Sequence, residues 1–254
     1  MHLRDARTSS LSLKTAGTAQ RGRRPLGDFV KATGGRFSTE LGIDVDSGES
    51  LEIFKWFLAA ILFGARISGR IANGTYREFA KEGLLSADKI LRCGWTGLVR
   101  ALDRGGYTRY DFKTATKLLG ICGALVENYA GDLNKLHTAA KNAPDLEKRV
   151  KELGKGIGDV TAGIFLREMR GTWAKAEPLP SDLVLIGAKE LGLLPKVQIS
   201  KARALCELKT RWIREAGQLS QFSDFEAALL RHGLAVRKTH RARPHADSQS
   251  SPDS

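Results

Sequence analysis

From residue 51 to residue 232 apolar side chains return every third or fourth position, the period of an α-helix. No segment alternates apolar and polar residues over the length of a strand. Phe112, Ala115, Leu118, Leu119, Cys122, Leu125, Val126 and Tyr129 form one such stripe, enough for a helix of about five turns. Similar stripes cover 51–64, 68–80, 159–170, 182–192, 198–216 and 222–232. Gly105-Gly106 ends one helix, Asn142-Ala143-Pro144 introduces another, and Pro178 to Pro180 interrupts the chain before Ser181-Asp182. Asn73-Gly74 reads as a local irregularity. The pattern predicts an all-α domain of about ten short helices over 27–236, between tails at 1–26 and 237–254.

Composition narrows the function. Of 254 residues, 41 are Lys or Arg and 28 are Asp or Glu, a net charge of +13, and 42% are hydrophobic, enough for a real core. The longest apolar run, Trp56 to Phe63, is far shorter than the roughly 20 residues of a membrane span, which excludes an integral membrane helix. Cys93, Cys122 and Cys206 lie far apart in apolar, helix-like contexts, so they read as buried thiols in a reducing compartment rather than as a disulfide framework or metal cluster. The two tails carry +5 and +2 without apolar periodicity, and as solvated segments they would add sequence-independent attraction to a polyanion. The N-terminal tail also has the Arg- and Ser-rich composition of a transit peptide, but it lacks a clear amphipathic helix.

The most informative stretch is Glu147 to Arg170, EKRVKELGKGIGDVTAGIFLREMR. An amphipathic helix runs into Leu153, Gly154-Lys155-Gly156-Ile157-Gly158 makes a tight turn, and Asp159 opens a second helix. Three glycines in five residues let the backbone adopt positive φ and approach another molecule closely. The amides opening the second helix then form an anion site, reinforced by the helix dipole, which a phosphodiester fits. Taken only as glycines, the pattern suits a plain helix–helix connection as well.

The segment LGKGIGDVTAGIFL resembles the helix-hairpin-helix signature of the DNA glycosylase superfamily that includes endonuclease III. Upstream, FKWFLAAILFGARISGRIA resembles the buried helix that leads into that family's base-flipping loop. Downstream, LPSDLVLIG resembles the segment bearing its essential aspartate. The correspondence spans about residues 27 to 235. It implies two helical subdomains flanking a DNA-binding cleft, base excision repair as the activity, and duplex DNA holding a lesion or mismatch as the partner. A monomer in the cytoplasm, associated with the nucleoid, is the expected form, with an organelle or the nucleus as the alternatives.

The resemblance also assigns residues. Gly154, Lys155, Gly156, Gly158 and Thr161 fall on the DNA-backbone contacts, and Ala65, Arg66 and Trp56 on the flipping loop and base pocket. The catalytic aspartate falls on Asp182, 24 residues beyond Gly158. A carboxylate beneath the sugar stabilises oxocarbenium charge and orients water, worth on the order of a thousandfold in rate. Ser181 or Asp182 equally suits an ordinary helix N-cap.

Departures from the family pattern sharpen these expectations. The lysine that gives some relatives strand cleavage is replaced by Val160, which implies a monofunctional enzyme with water as nucleophile; Lys155 is read as a phosphate contact. Only Cys206 lies beyond the hairpin, so no iron–sulfur cluster is expected, and packing by Trp212, Phe222, Phe225, Leu229 and Leu230 would replace it. The family's gap-filling glutamine is missing at Ala65, leaving Arg66 as the local candidate to fill the space of an everted base, or to pair with a surface acid. No organic cofactor or catalytic metal is expected; the resemblance implies a monovalent cation between hairpin and phosphate. In GGYTRYDFKTATK, Tyr107, Arg109, Tyr110, Lys113 and Lys117 suit a groove that tracks a strand, or tyrosines packed at a helix entrance. Trp56 and Trp173 read as core unless they face the cleft. The competing classes are a non-catalytic DNA-binding or lesion-sensing module, and a glycosylase with lyase activity through a lysine elsewhere.

Overall fold

The structure, a computed structural model, describes residues 25–216 and 218–241, and every regular element among them is helical. After α1 (Leu26–Thr33) and the single turn of α2 (Phe37–Glu40) come α3 (Ser50–Phe63), α4 (Gly69–Lys81), α5 (Ala87–Arg104), α6 (Asp111–Tyr129) and α7 (Leu133–Ala139). They are followed by α8 (Ala143–Glu152), α9 (Asp159–Glu168), α10 (Asp182–Glu190), α11 (Lys201–Ala216) and α12 (Phe222–Arg241). None of these helices is long and apolar enough to cross a membrane. Most of the tail sequences, 1–24 and 242–254, lie outside the described residues, but 237–241 continue α12, so the last helix runs further than the apolar stripe indicates.

Local chemistry sets the boundaries. Ser68, Ser86, Asp132, Asn142 and Ser181 each accept a backbone N–H from the first turn of the helix they precede, satisfying donors that have no partner within the helix. Gly105-Gly106 closes α5 and Pro144 sits in the first turn of α8, as the spacing predicts. Asn73-Gly74 does not interrupt anything: α4 runs through it, and Gly74 is small because the backbone of Gly105 passes over it. The break falls instead in α5, where Gly94 (φ 67°, ψ 175°) divides it into 87–93 and 95–104.

Two apolar cores result. In the larger, α3 is buried almost all round, with Ile53, Phe54, Trp56, Phe57, Leu58 and Leu62 enclosed by α4 to α9. In the smaller, Leu26 of α1 returns to meet Val184 of α10, Leu208 and Trp212 of α11, and Phe222, Phe225 and Leu229 of α12. The terminal helices therefore pack as expected from their aromatic residues. Gly187 and Gly233 let α10 and α12 cross in backbone contact, since a Cβ on either would collide with the carbonyl of Leu229 or Leu183. Of the cysteines, only Cys122 is fully buried; Cys206 is exposed on α11, a correction to the expectation of three buried thiols.

Charge joins the cores where α9 ends. Glu168 accepts the amides of Phe37 and Ser38 (3.0 and 2.8 Å) and the Arg167 guanidinium (3.1 Å), tying the N-terminal segment to α9. Arg170, with a side chain 4% exposed, donates to Glu226 of α12 and to Glu177 at 2.9 Å each, and to the carbonyl of Pro178. One buried guanidinium thus fixes both α12 and the connection that leads to α10. Arg170→Ala is expected to leave Glu226 buried without its partner and to cost about 3–5 kcal/mol. Thermal unfolding should show a loss of roughly 10 °C.

Candidate nucleic-acid interface

The hairpin is built from α8, a six-residue turn and α9. Leu146, Val150 and Leu153 turn inward from α8, and buried Ile157 pins the turn from below. The turn lies directly on α6: a Cβ at Gly154 would stand 2.7 Å from Cγ1 of Ile121, and one at Gly156 would stand 2.9 Å from Cδ of Lys117. Of the three glycines only Gly156 is left-handed (φ 110°); Gly158 is extended (φ −98°, ψ −172°), with open space on its outer side. The amides of Gly158, Asp159, Val160 and Thr161 donate to no acceptor among the described residues. They are the free N-terminal donors of a ten-residue helix, at the positive end of its dipole.

Cations surround these amides. Lys155 is exposed on the turn, Lys117 reaches over Gly156 from α6, and neither has an acidic partner among the described residues. The one carboxylate in the first turn of α9, Asp159, is held by the Lys151 ammonium at 2.5 Å. Lys151 keeps that carboxyl below its ordinary range, while Asp159 and then Glu147 raise the ammonium above its own. The pair also bridges the two helices of the hairpin. A monovalent cation would find backbone carbonyls here, that of Gly154 already accepting the Ile157 amide (3.3 Å), beneath the Lys117 ammonium.

The turn after α3 meets the first turn of α9. Gly64 lies so close to Thr161 that a Cβ would collide with its hydroxyl, which brings Ala65, Arg66 and Ile67 beside the opening of the hairpin helix. Thr161 is buried by this contact, so only its amide remains for a phosphate. Ala65 packs partly against the core, whereas Arg66 is exposed and pairs with no acid among the described residues. Arg70 and Arg77 follow on α4, seven residues apart on one face, and line a recess of about 550 Å³ with Asn73, Gly74, Gly105 and Gly106.

Asp182 is the first residue of α10, and Ser181 takes the capping role by accepting the Val184 amide (3.4 Å). Its side chain is 83% exposed and meets the Lys201 ammonium at 2.7 Å. Pro178 and Pro180, both buried, and the Arg170 grip on the Pro178 carbonyl fix the path by which the chain reaches it. It does not line the recess beside Arg70 and Arg77.

Several sequence expectations need correction. Trp56 is wholly buried and donates to the Phe165 carbonyl (3.1 Å), so it belongs to the core and to no base pocket. Trp173 is core, as its apolar helical surroundings predict, bonded to Asn134 (2.8 Å) and stacked on His137. Tyr107 is buried, while Arg109 and Tyr110 are exposed and rest on each other (5.4 Å). Phe112, assigned to the apolar stripe of α6, is 58% exposed because it lies a turn beyond the core that covers Ala115 and Leu118. Trp95, which the periodicity does not single out, is 42% exposed and tilts against Phe112 (ring centroids 5.3 Å apart).

Gly156→Ala should cost about 1–3 kcal/mol, because its backbone angles suit only glycine and the new methyl meets Lys117. Denaturant unfolding measures this directly, and binding to duplex DNA should weaken in the same variant. No family model and no curated protein matches the chain, so the functional reading rests on this geometry and on the motif in the sequence.

Proposed function

We propose that this protein is a DNA glycosylase: it grips the sugar–phosphate backbone of duplex DNA at the 154–158 hairpin and hydrolyses the N-glycosidic bond of a damaged or mispaired base. The observation that carries the reading is the contact of Gly64 with Thr161. It joins the hairpin's free amides and lysines to the loop holding Arg66, two of the three segments that resemble the glycosylase family, at one end of α9. The third segment supplies Asp182 on α10.

In this reading the amides opening α9, with Lys155 and Lys117, bind a phosphate. Arg66, unpaired and planar, fills the space left by the everted base and offsets part of its unstacking. The Asp182 carboxylate leaves Lys201 and lies under the deoxyribose; an exposed ion pair is worth only about 0–1 kcal/mol, so the exchange is cheap. As the bond from C1′ to the base breaks, Asp182 stabilises the oxocarbenium charge and orients water, whose hydroxide joins C1′ and whose proton balances the departing base. Val160 offers no amine at the family's lysine position, so the product is an intact strand with an abasic site.

A non-catalytic DNA-binding module is the second reading, favoured by the exposure of Asp182 and its ion pair with Lys201. Duplexes holding uracil, hypoxanthine, alkylated purines, oxidised pyrimidines, 8-oxoguanine, or thymine opposite guanine separate the two. Strand breaks that appear only after alkali, on one of these substrates, are the expected result. Asp182→Asn should lower that rate about a thousandfold while leaving stability and duplex affinity unchanged. Binding with no base loss from any duplex would establish the module instead, and a borohydride-trapped adduct would replace water with a lysine nucleophile.

A further inference from the structure

The groove where α5 restarts beside α6 shares Lys117 and Lys155 with the phosphate grip proposed above, but the reaction makes no use of its aromatic wall. It has a volume of about 560 Å³ and is lined by Trp95 and Phe112, by Lys113 and Lys117, and by Gly154 and Lys155 of the hairpin. The chain holds four tryptophans; Trp56, Trp173 and Trp212 are buried, so Trp95 alone shows its ring to solvent. Two features hold it there. Gly94, left-handed, breaks the helix immediately before it, a conformation that a residue with a Cβ adopts only under strain. The indole N–H then donates to the Thr116 hydroxyl (3.1 Å), which itself donates to the Phe112 carbonyl (3.0 Å). The polar edge of the ring is satisfied, the residue stays 42% exposed beside the Phe112 ring, and little conformational freedom remains to lose on binding.

We propose that this groove is a stacking platform for the unpaired bases of a single-stranded DNA segment. Flat apolar faces ringed by cations match a polyanion that carries flat rings. Lys113, Lys117 and Lys155 have no acidic partner among the described residues, so their charge is available to phosphates. Gly154 and Lys155 belong to both the hairpin and the groove. A strand whose phosphate sits on the α9 amides can therefore continue across the turn toward Trp95 and Phe112. Bases paired in a duplex cannot present their faces there, so the groove favours a gap, a flap or a frayed end over an intact duplex. The inference shares the reading of the hairpin as a phosphate grip, but it does not require Asp182 or base release.

The test uses Trp95 as its own reporter in the full chain. Titration with a short oligothymidylate should quench the solvent-exposed part of the tryptophan fluorescence, and a blunt duplex of equal length should quench it much less. Phe112→Ala, which removes an exposed ring and keeps the reporter, should weaken oligothymidylate binding about tenfold, within the range of one lost base stack. An abasic oligomer with the same number of phosphates should bind no better than that variant. Equal quenching by the abasic oligomer, by polyglutamate or by the blunt duplex would overturn the proposal, as would wild-type affinity in Phe112→Ala. Base release from lesion duplexes, assayed in parallel, separates the two readings. Release without quenching refutes the platform alone, and quenching without release supports the platform while refuting the glycosylase.

Discussion

Backbone approaches side chain without an intervening Cβ at one end of α9, and the surface proposed to bind DNA depends on that closeness. Gly154 and Gly156 rest on Ile121 and Lys117, and Gly64 rests on Thr161. These contacts draw α6, the turn after α3 and the hairpin into one patch, where free amides, Lys117, Lys155 and Arg66 face solvent together. A methyl group at Gly64 or Gly154 would collide with Thr161 or Ile121 and force these layers to shift, whereas at Gly156 the Lys117 side chain could swing aside and the left-handed backbone is the constraint. The groove beside Trp95 has Gly154 in its wall, so the same closeness shapes it.

The opposite end of α9 performs a different task with a different force. There Glu168 and Arg170 are buried ions satisfied by amides, a carbonyl and carboxylates from segments far apart in sequence. Such pairs contribute little net stability against an apolar alternative, but they hold a single arrangement because any misplacement leaves a buried charge unpaired. Arg170 therefore determines how the connection through Pro178 and Pro180 delivers Asp182. A ten-residue helix with free amides at its start and an ionic knot at its end relates the two cores.

Much of this was legible in one dimension. Helical period, Ser and Asn caps, the glycine turn and the aromatic face of the C-terminal helices follow from side-chain spacing and local hydrogen bonding, and the helices lie where the pattern puts them. What a periodic stripe lacks is the identity of its neighbour. Phe112 fits the stripe of α6, yet that turn meets Trp95 and not the core; Trp56 and Tyr107, which the pattern allows as either core or site, are enclosed. Trp95 was hidden because a left-handed Gly94 looks, in sequence, like an ordinary glycine in a helix. The cue was a bulky aromatic directly after that glycine, facing the basic segment at 113–117 across no obvious core. Spacing alone does not separate Ser181 from Asp182 as the cap: Ser181 caps the helix, and Asp182, its first residue, presents an exposed carboxylate to Lys201.

Whether the hairpin holds a phosphate is tested most directly at Gly158, where the backbone is extended, the outer side is open and the following amides are free. Asp and Asn cap a helix about equally well, so Gly158→Asp and Gly158→Asn should match or exceed the stability of the wild type. They differ in the charge placed at the proposed phosphate position. Duplex affinity measured across a range of salt should fall much further for Gly158→Asp than for Gly158→Asn if a phosphate sits on the α9 amides. Equal affinities in the two variants, with both fully folded, would contradict a backbone grip at this hairpin.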